Sequence, residues 1–231
     1  MKRSFILLLL AVAVSVDVAG QVLGGSSTYG FNSGLSFGIG TQATMGGRSF
    51  WMRDDISYNM CVVEPESYRP QLVNPLLDIG WWSEYPSDNF VFGYQVRGNY
   101  STEKYQVTLG KEALTGSLKT IGLNLGCYIG WHFGDQLTAC VGVQEENRFP
   151  VKEGGRLNIF NSQNAIGLMA MVRYAFAEDY FVALNAGYGM FPLGGMDLDW
   201  EKYTPIGTEG YYVEETDLKT FTLTLGVGRG F

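Results

Sequence analysis

His132 is the one imidazole in this sequence of 231 residues, and Cys61, Cys127 and Cys140 are its only thiols. A lone imidazole works as a general base only where a nucleophile and an orienting group stand beside it, and nothing around "GWHFGDQ" supplies them in a recognisable pattern. His132 therefore reads as a polar lining or rim residue beside a tight turn. The cysteines show no C-x-x-C or other ligand spacing, which supports neither a zinc site nor a disulfide framework. Residue parity puts Cys127 and Cys140 on opposite faces of their hairpin, so no bridge is expected between them. "DLDWE", at 197–201, gathers acids without the regular spacing and glycine of a calcium loop. The sequence thus assigns no catalytic residue, no metal and no cofactor. What remains is recognition chemistry. Segment 191–217 sets seven acids against Lys202 and interleaves them with Trp200, Tyr203, Tyr211 and Tyr212. Those four rings are the candidates for contact with an extracellular protein or glycan.

Side chains of this kind need a scaffold, and the scaffold is written in a period of two. In "TFTLTLGVGRGF", Phe221, Leu223, Leu225, Val227 and Phe231 share one parity, while the other is Thr and Gly. Seven earlier segments repeat the pattern, at about 33–45, 74–83, 89–100, 118–132, 137–145, 164–176 and 180–190. Three connections between them are short, as in "EYPSD", "FGDQ" and "AEDY", and the long stretches 46–73, 101–117, 146–163 and 191–217 alternate with these. Eight strands of roughly 9–11 residues, joined by alternately tight and long connections, make an up-and-down meander with unlike ends. The fold class is all-β, an eight-stranded antiparallel up-and-down barrel.

Period two alone does not say which face is wet. The less apolar parity is Gly, Ser, Thr, Asn and Gln with few charges, which suits a narrow lumen and not a solvated exterior. Asp78, Gln95, Arg97, Asn124, Tyr128, Gln144, Arg173 and Asn185 are its expected occupants, a polar network plugging the bore, with Asp78 a partner for Arg97. The aromatics sort by depth. Trp81, Trp82, Phe90, Trp131, Phe133, Tyr174, Phe176, Tyr180 and Phe231 lie by the short turns, and Tyr100, Tyr188, Phe191 and Phe221 lie toward the long connections. Two aromatic girdles around an aliphatic band are what a lipid bilayer selects, so the barrel is expected to be transmembrane.

The first residues are not part of that fold. Lys2 and Arg3, an apolar run from Phe5 to Val16 and the small residues Ala19 and Gly20 read as a secretory signal over 1–20, with the barrel occupying 21–231. The formal charge of −7 argues against nucleic acid as a partner.

With the leader, the strand count, the turn pattern and Phe231, residues 30–231 resemble the small eight-stranded outer-membrane barrels of Gram-negative bacteria, the porin-like and OmpA-like barrel domains. The resemblance implies a place in the cell outer membrane. It also implies that Phe221, Leu223, Leu225, Val227 and Phe231 form the signal read by the barrel assembly machinery. Arg229 departs from that apolar face, but near the rim it can reach the headgroups. Among such barrels the expected role is structural or interactive: adhesion, envelope integrity or a subunit of an envelope complex. A narrow passive channel is the alternative, and a lipid-modifying enzyme, which the family also contains, comes after it. The position of the single His132 by a periplasmic turn weighs against the enzyme, whose chemistry belongs at the outer rim.

Overall fold

The computed structural model describes residues 32–53, 59–71, 73–87, 89–151, 163–177, 179–192, 204–206 and 210–231; at 45–48, 86–87, 192, 204–206 and 214–218 it describes the backbone alone. In chain order the strands are β1 (Ser33–Arg53), β2 (Met60–Val63), β3 (Ser67–Pro70), β4 (Asn74–Ser87), β5 (Phe90–Leu109), β6 (Glu112–Phe133), β7 (Leu137–Pro150), β8 (Gln163–Ala175), β9 (Tyr180–Pro192), β10 (Thr204–Ile206) and β11 (Tyr211–Gly230). Eight of them, β1, β4, β5, β6, β7, β8, β9 and β11, pair antiparallel with their neighbours, and β11 returns to β1 to close a ring. At the seam the Phe231 N–H donates to the Ser33 carbonyl at 2.9 Å, and the Ser33 N–H and Oγ–H donate to the Phe231 carbonyl at 3.3 and 3.0 Å. The chain is the all-β up-and-down eight-stranded barrel that its alternation predicts.

Around the ring the outward parity is apolar and bare. Ile39 is 69 % exposed and Leu225 55 %, and Leu77, Phe92, Ile129, Val141, Leu168 and Leu184 carry the same belt around the other six strands. A water-soluble protein does not leave a closed band of large aliphatic side chains in solvent. The belt faces lipid, and the ring gives every strand two hydrogen-bonded neighbours, as a spanning sheet requires.

Above the belt the strands run on, and the two faces exchange character. On β5, Phe90, Phe92 and Tyr100 point out and Gln95, Arg97 and Asn99 point in; beyond residue 101 the outward side chains are Lys104, Gln106 and Thr108, and the inward ones are Tyr105, Val107 and Leu109. β6 switches at the same level, from outward Ile121 to outward Lys119, with Leu118 turned inside. The stretch 101–117, expected as a polar loop, is instead a continuous hairpin that turns over Gly110 and Lys111, Gly110 taking φ 61° where an L side chain is strained. Its alternation carries polar residues on the water side and apolar ones inside, the reverse of the belt, which is why it reads as hydrophilic. β3 pairs with β5 here and β2 with β1, so that β3–β5–β6 faces β2–β1–β11–β10. Phe50, Tyr105, Val107, Leu109, Leu118 and Val213 form the core between them, with Tyr68 against Phe50 at a ring separation of 5.3 Å. The barrel therefore closes into a small two-sheet head.

Two further sequence expectations need correction. Trp82 is not in the girdle beside Trp81. Neighbouring residues of a strand point to opposite faces, and Trp82 is 3 % exposed inside the barrel, edge-on to Phe181 at 5.6 Å. The segment 191–217 is not one loop, because β10 and the start of β11 lie within it. A bulge in β11, opposite Met45 to Gly47, shifts the register by one residue. It turns Val213 and Tyr211 toward the head core, so Tyr211 is packed against that core, and Tyr212 is half-buried opposite Trp51. Trp200, Tyr203 and the leader 1–20 lie outside the described residues.

Candidate functional site

The bore is tied across by three polar clusters at successive depths. Nearest the short turns, Glu84 accepts from two sides: Arg173 Nη2 donates to its Oε2 at 2.6 Å and the Tyr128 hydroxyl donates to its Oε1 at 3.1 Å. The Arg173 guanidinium lies over the Trp82 ring, 3.7 Å from its centroid, and 5.8 Å from that of Phe181. The contacts join β4, β6, β8 and β9. Face-on stacking against an indole is a second stabilising contact for a cation held away from water. His132 is buried beside them, with Nδ1 3.0 Å from Thr138 Oγ1.

Tyr128 owes its position to a glycine. It sits opposite Gly93 in register, and a Cβ on Gly93 would stand 2.6 Å from its ring. Gly93→Val is expected to push Tyr128 off Glu84 and cost about 1–3 kcal/mol through overpacking. Denaturant midpoints of the variant and wild type in lipid vesicles measure this, and Gly93→Val combined with Tyr128→Ala should recover part of the loss.

At mid-depth Arg97 forms a two-point ion pair with Asp78, one arm being Nε to Oδ2 at 3.2 Å, and also donates from Nη2 to Thr224 Oγ1 at 2.7 Å. β5 and β11 are not neighbours in the ring, so the second contact crosses the bore. Asp78, Gln95, Arg97, Asn124, Gln144 and Asn185 converge on a cavity of about 10 Å³, room for one water and no more. Higher up, the Thr220 hydroxyl donates to Glu146 Oε2 at 2.5 Å and links β11 to β7. Above this layer lies the apolar core of the head.

The eight polar residues singled out by parity all lie buried within the ring. Six of them share the small cavity, and Tyr128 and Arg173 belong to the cluster below it. Glu84 was missed, since "EYPSD" reads as a turn; extending Asp78, Gly80, Trp82 by one more step of two would have placed it inside. Glu103 and Glu146, also buried, were hidden in the supposed loops. Cys127 is exposed on the outer face and Cys140 buried on the inner one, both free. Arg229 pairs with Asp179 at 3.0 Å on the exposed rim.

No protein-family model and no curated protein sequence matches the chain. Among solved structures it is similar to Neisserial surface protein A (11 % identity, 90 % of this chain and 100 % of that one, TM-score 0.46). It is also similar to Ail, the attachment invasion locus protein of Yersinia pestis (9 %, 87 % and 99 %, TM-score 0.44). A third is outer membrane protein AlkL (14 %, 87 % and 91 %, TM-score 0.44).

Proposed function

We propose that the protein is an integral outer-membrane barrel with a plugged lumen, whose work is structural or interactive and is done by the folded head that stands above the bilayer. The observation that carries this reading is the change of face on β5 and β6. Below it the wall is built for lipid and the bore is filled by side chains; above it the same strands form a water-covered unit with an apolar core lying across the mouth. The polar side chains in the bore leave a cavity of about 10 Å³, and Phe50, Tyr105 and Leu109 pack together above it, which supports a plug. In this reading the leader directs export, the closing strand is presented to the assembly machinery, the short turns lie in the periplasm, and the head meets an extracellular partner or a neighbouring envelope component. No catalytic role is assigned.

Reconstitution into planar bilayers tests the plug. The expected record is a flat baseline without resolvable conductance steps at 100 mV in 1 M salt. Regular steps from the wild-type protein would overturn the plugged reading in favour of a narrow channel.

A further inference from the structure

We propose that the outward face of β2, β1 and β11 in the head is a docking surface for a cationic protein segment. This rests on the interactive reading above and adds the chemistry of the partner to it. Phe50, Val63 and Val213 pack into the head core, so strand alternation turns their neighbours Trp51, Val62 and Tyr212 the other way. The three stand in register, Val62 opposite Trp51 and Trp51 opposite Tyr212, and Pro205 of β10 holds the next position. They form an apolar, ring-bearing row across the sheet. Trp51 lies eight residues beyond Ala43, the partner of the girdle residue Phe221, so the row stands clear of the bilayer. Val62 is 62 % exposed, Met52 on the rim above Phe50 is 40 % exposed, and Trp51 and Tyr212 are half-buried. An apolar patch held out in water marks an interaction site. The opposite sheet differs: its outward residues on β5 are Lys104, Gln106 and Thr108, and its rings, Tyr68 and Tyr105, are turned into the core.

Charge names the occupant. Segments 46–66 and 193–217, which supply the head portions of these strands and their connections, hold eleven of the 23 acids and three of the 16 bases. That region carries −8 and the rest of the chain +1. Glu64 and Glu66 are exposed just beyond β2, and Arg53 is exposed at the end of β1. A second copy would set −8 against −8, and an anionic glycan or a phosphate would meet the same repulsion. Lysine and arginine side chains are drawn in by the acids and stack favourably on the faces of Trp and Tyr rings. Val62 and Met52 offer no hydroxyl or amide to a neutral sugar, but they suit the apolar side chains of a protein. Trp and Tyr are also the residues that anchor protein interfaces.

The test uses the mature protein in phosphatidylcholine nanodiscs, with empty nanodiscs as the blank, and three immobilised peptides. One alternates lysine with leucine, one glutamate with leucine, and one lysine with glycine. Wild type should bind the lysine–leucine peptide, and at least about tenfold less of the other two. W51S/V62S/Y212S should weaken that binding by about tenfold or more, since a few buried rings carry most of such an interface. E64Q/E66Q, which changes only exposed side chains, should weaken it roughly two- to fivefold at 0.1 M salt and flatten its fall with added salt. Q106S/T115S, on the opposite sheet, should change nothing. No binding of the lysine–leucine peptide, equal binding by wild type and triple variant, or equal binding of either other peptide overturns the proposal. A wild type that dimerises in detergent where the triple variant does not gives the row to a second copy and overturns it too. Heat-modified migration reports the barrel of each variant, and E64Q/E66Q leaves the head core untouched, so a folding fault in the triple variant cannot stand in for a result. A protein that does not embed sinks the outer-membrane reading, whereas an embedded barrel that ignores the peptides sinks this one alone.

Discussion

Leu225→Arg should fail to insert, or insert with a stability loss of about 2–4 kcal/mol, whereas Ser117→Arg should cost no more than about 1 kcal/mol. Both side chains point outward and both are exposed. Leu225 lies in register between Ile39 and Leu184, so its neighbours on either side are lipid-facing aliphatics. It is also far from either end of its strand's apolar run, so an arginine there has no short reach to headgroup or water. Ser117 sits in the head opposite Lys104, so an arginine there reaches water and costs only the repulsion of a like charge across the strands. Folded fractions in urea series in vesicles measure the two costs. Similar costs would mean that the change of face on β5 and β6 does not mark the membrane boundary. Thr224→Arg is a third arm on the neighbouring residue: Thr224 accepts from Arg97, so its damage arises from crowding and repulsion inside the bore. Arg97→Ala should relieve that damage and leave the Leu225→Arg defect untouched.

The barrel was legible because a spanning strand has to repeat one simple contrast, apolar out and small or polar in, on all eight staves. Wherever that contrast held, as along Ile121 to Trp131, parity alone located the lumen residues and paired Asp78 with Arg97. It failed where the contrast reverses. Tyr105, Val107 and Leu109 alternate as strictly as the belt does, but with water outside, so the composition of the stretch looks like a loop while its period is that of a strand. The head core was invisible for a second reason. It joins residues as distant as Phe50, Leu118 and Val213, and the β11 bulge that brings Val213 inward has no local sequence mark. At the other end, a proline two residues on made Glu84 look like turn chemistry when its parity already placed it beside Trp82. Periodicity finds faces; it does not find the place where the solvent on a face changes.

Glu84→Ala should be the most damaging change in the bore, costing about 3–5 kcal/mol. The glutamate holds both Arg173 and Tyr128, and neither has water to turn to, since Arg173 is 2 % and Tyr128 1 % exposed. Much of the cost is the isolated guanidinium, left among the described residues with the Trp82 and Phe181 rings and a long 3.4 Å contact to Thr138 Oγ1. The double variant Glu84→Ala/Arg173→Met should therefore recover most of the loss, because an apolar side chain of similar length can lie on Trp82 and Phe181 without a charge to satisfy. Urea unfolding in vesicles of wild type, both single variants and the double closes the cycle, and a coupling energy near zero would refute the pairing. A large coupling has a structural meaning beyond stability. Glu84 and Arg173 come from β4 and β8, on opposite sides of the ring, so the pair can form only once the sheet has curled to bring those strands face to face. It then makes correct closure of the wall and burial of the charge a single event, which is a physical reason for a membrane barrel to keep an ion pair where a leucine and a methionine would also fit.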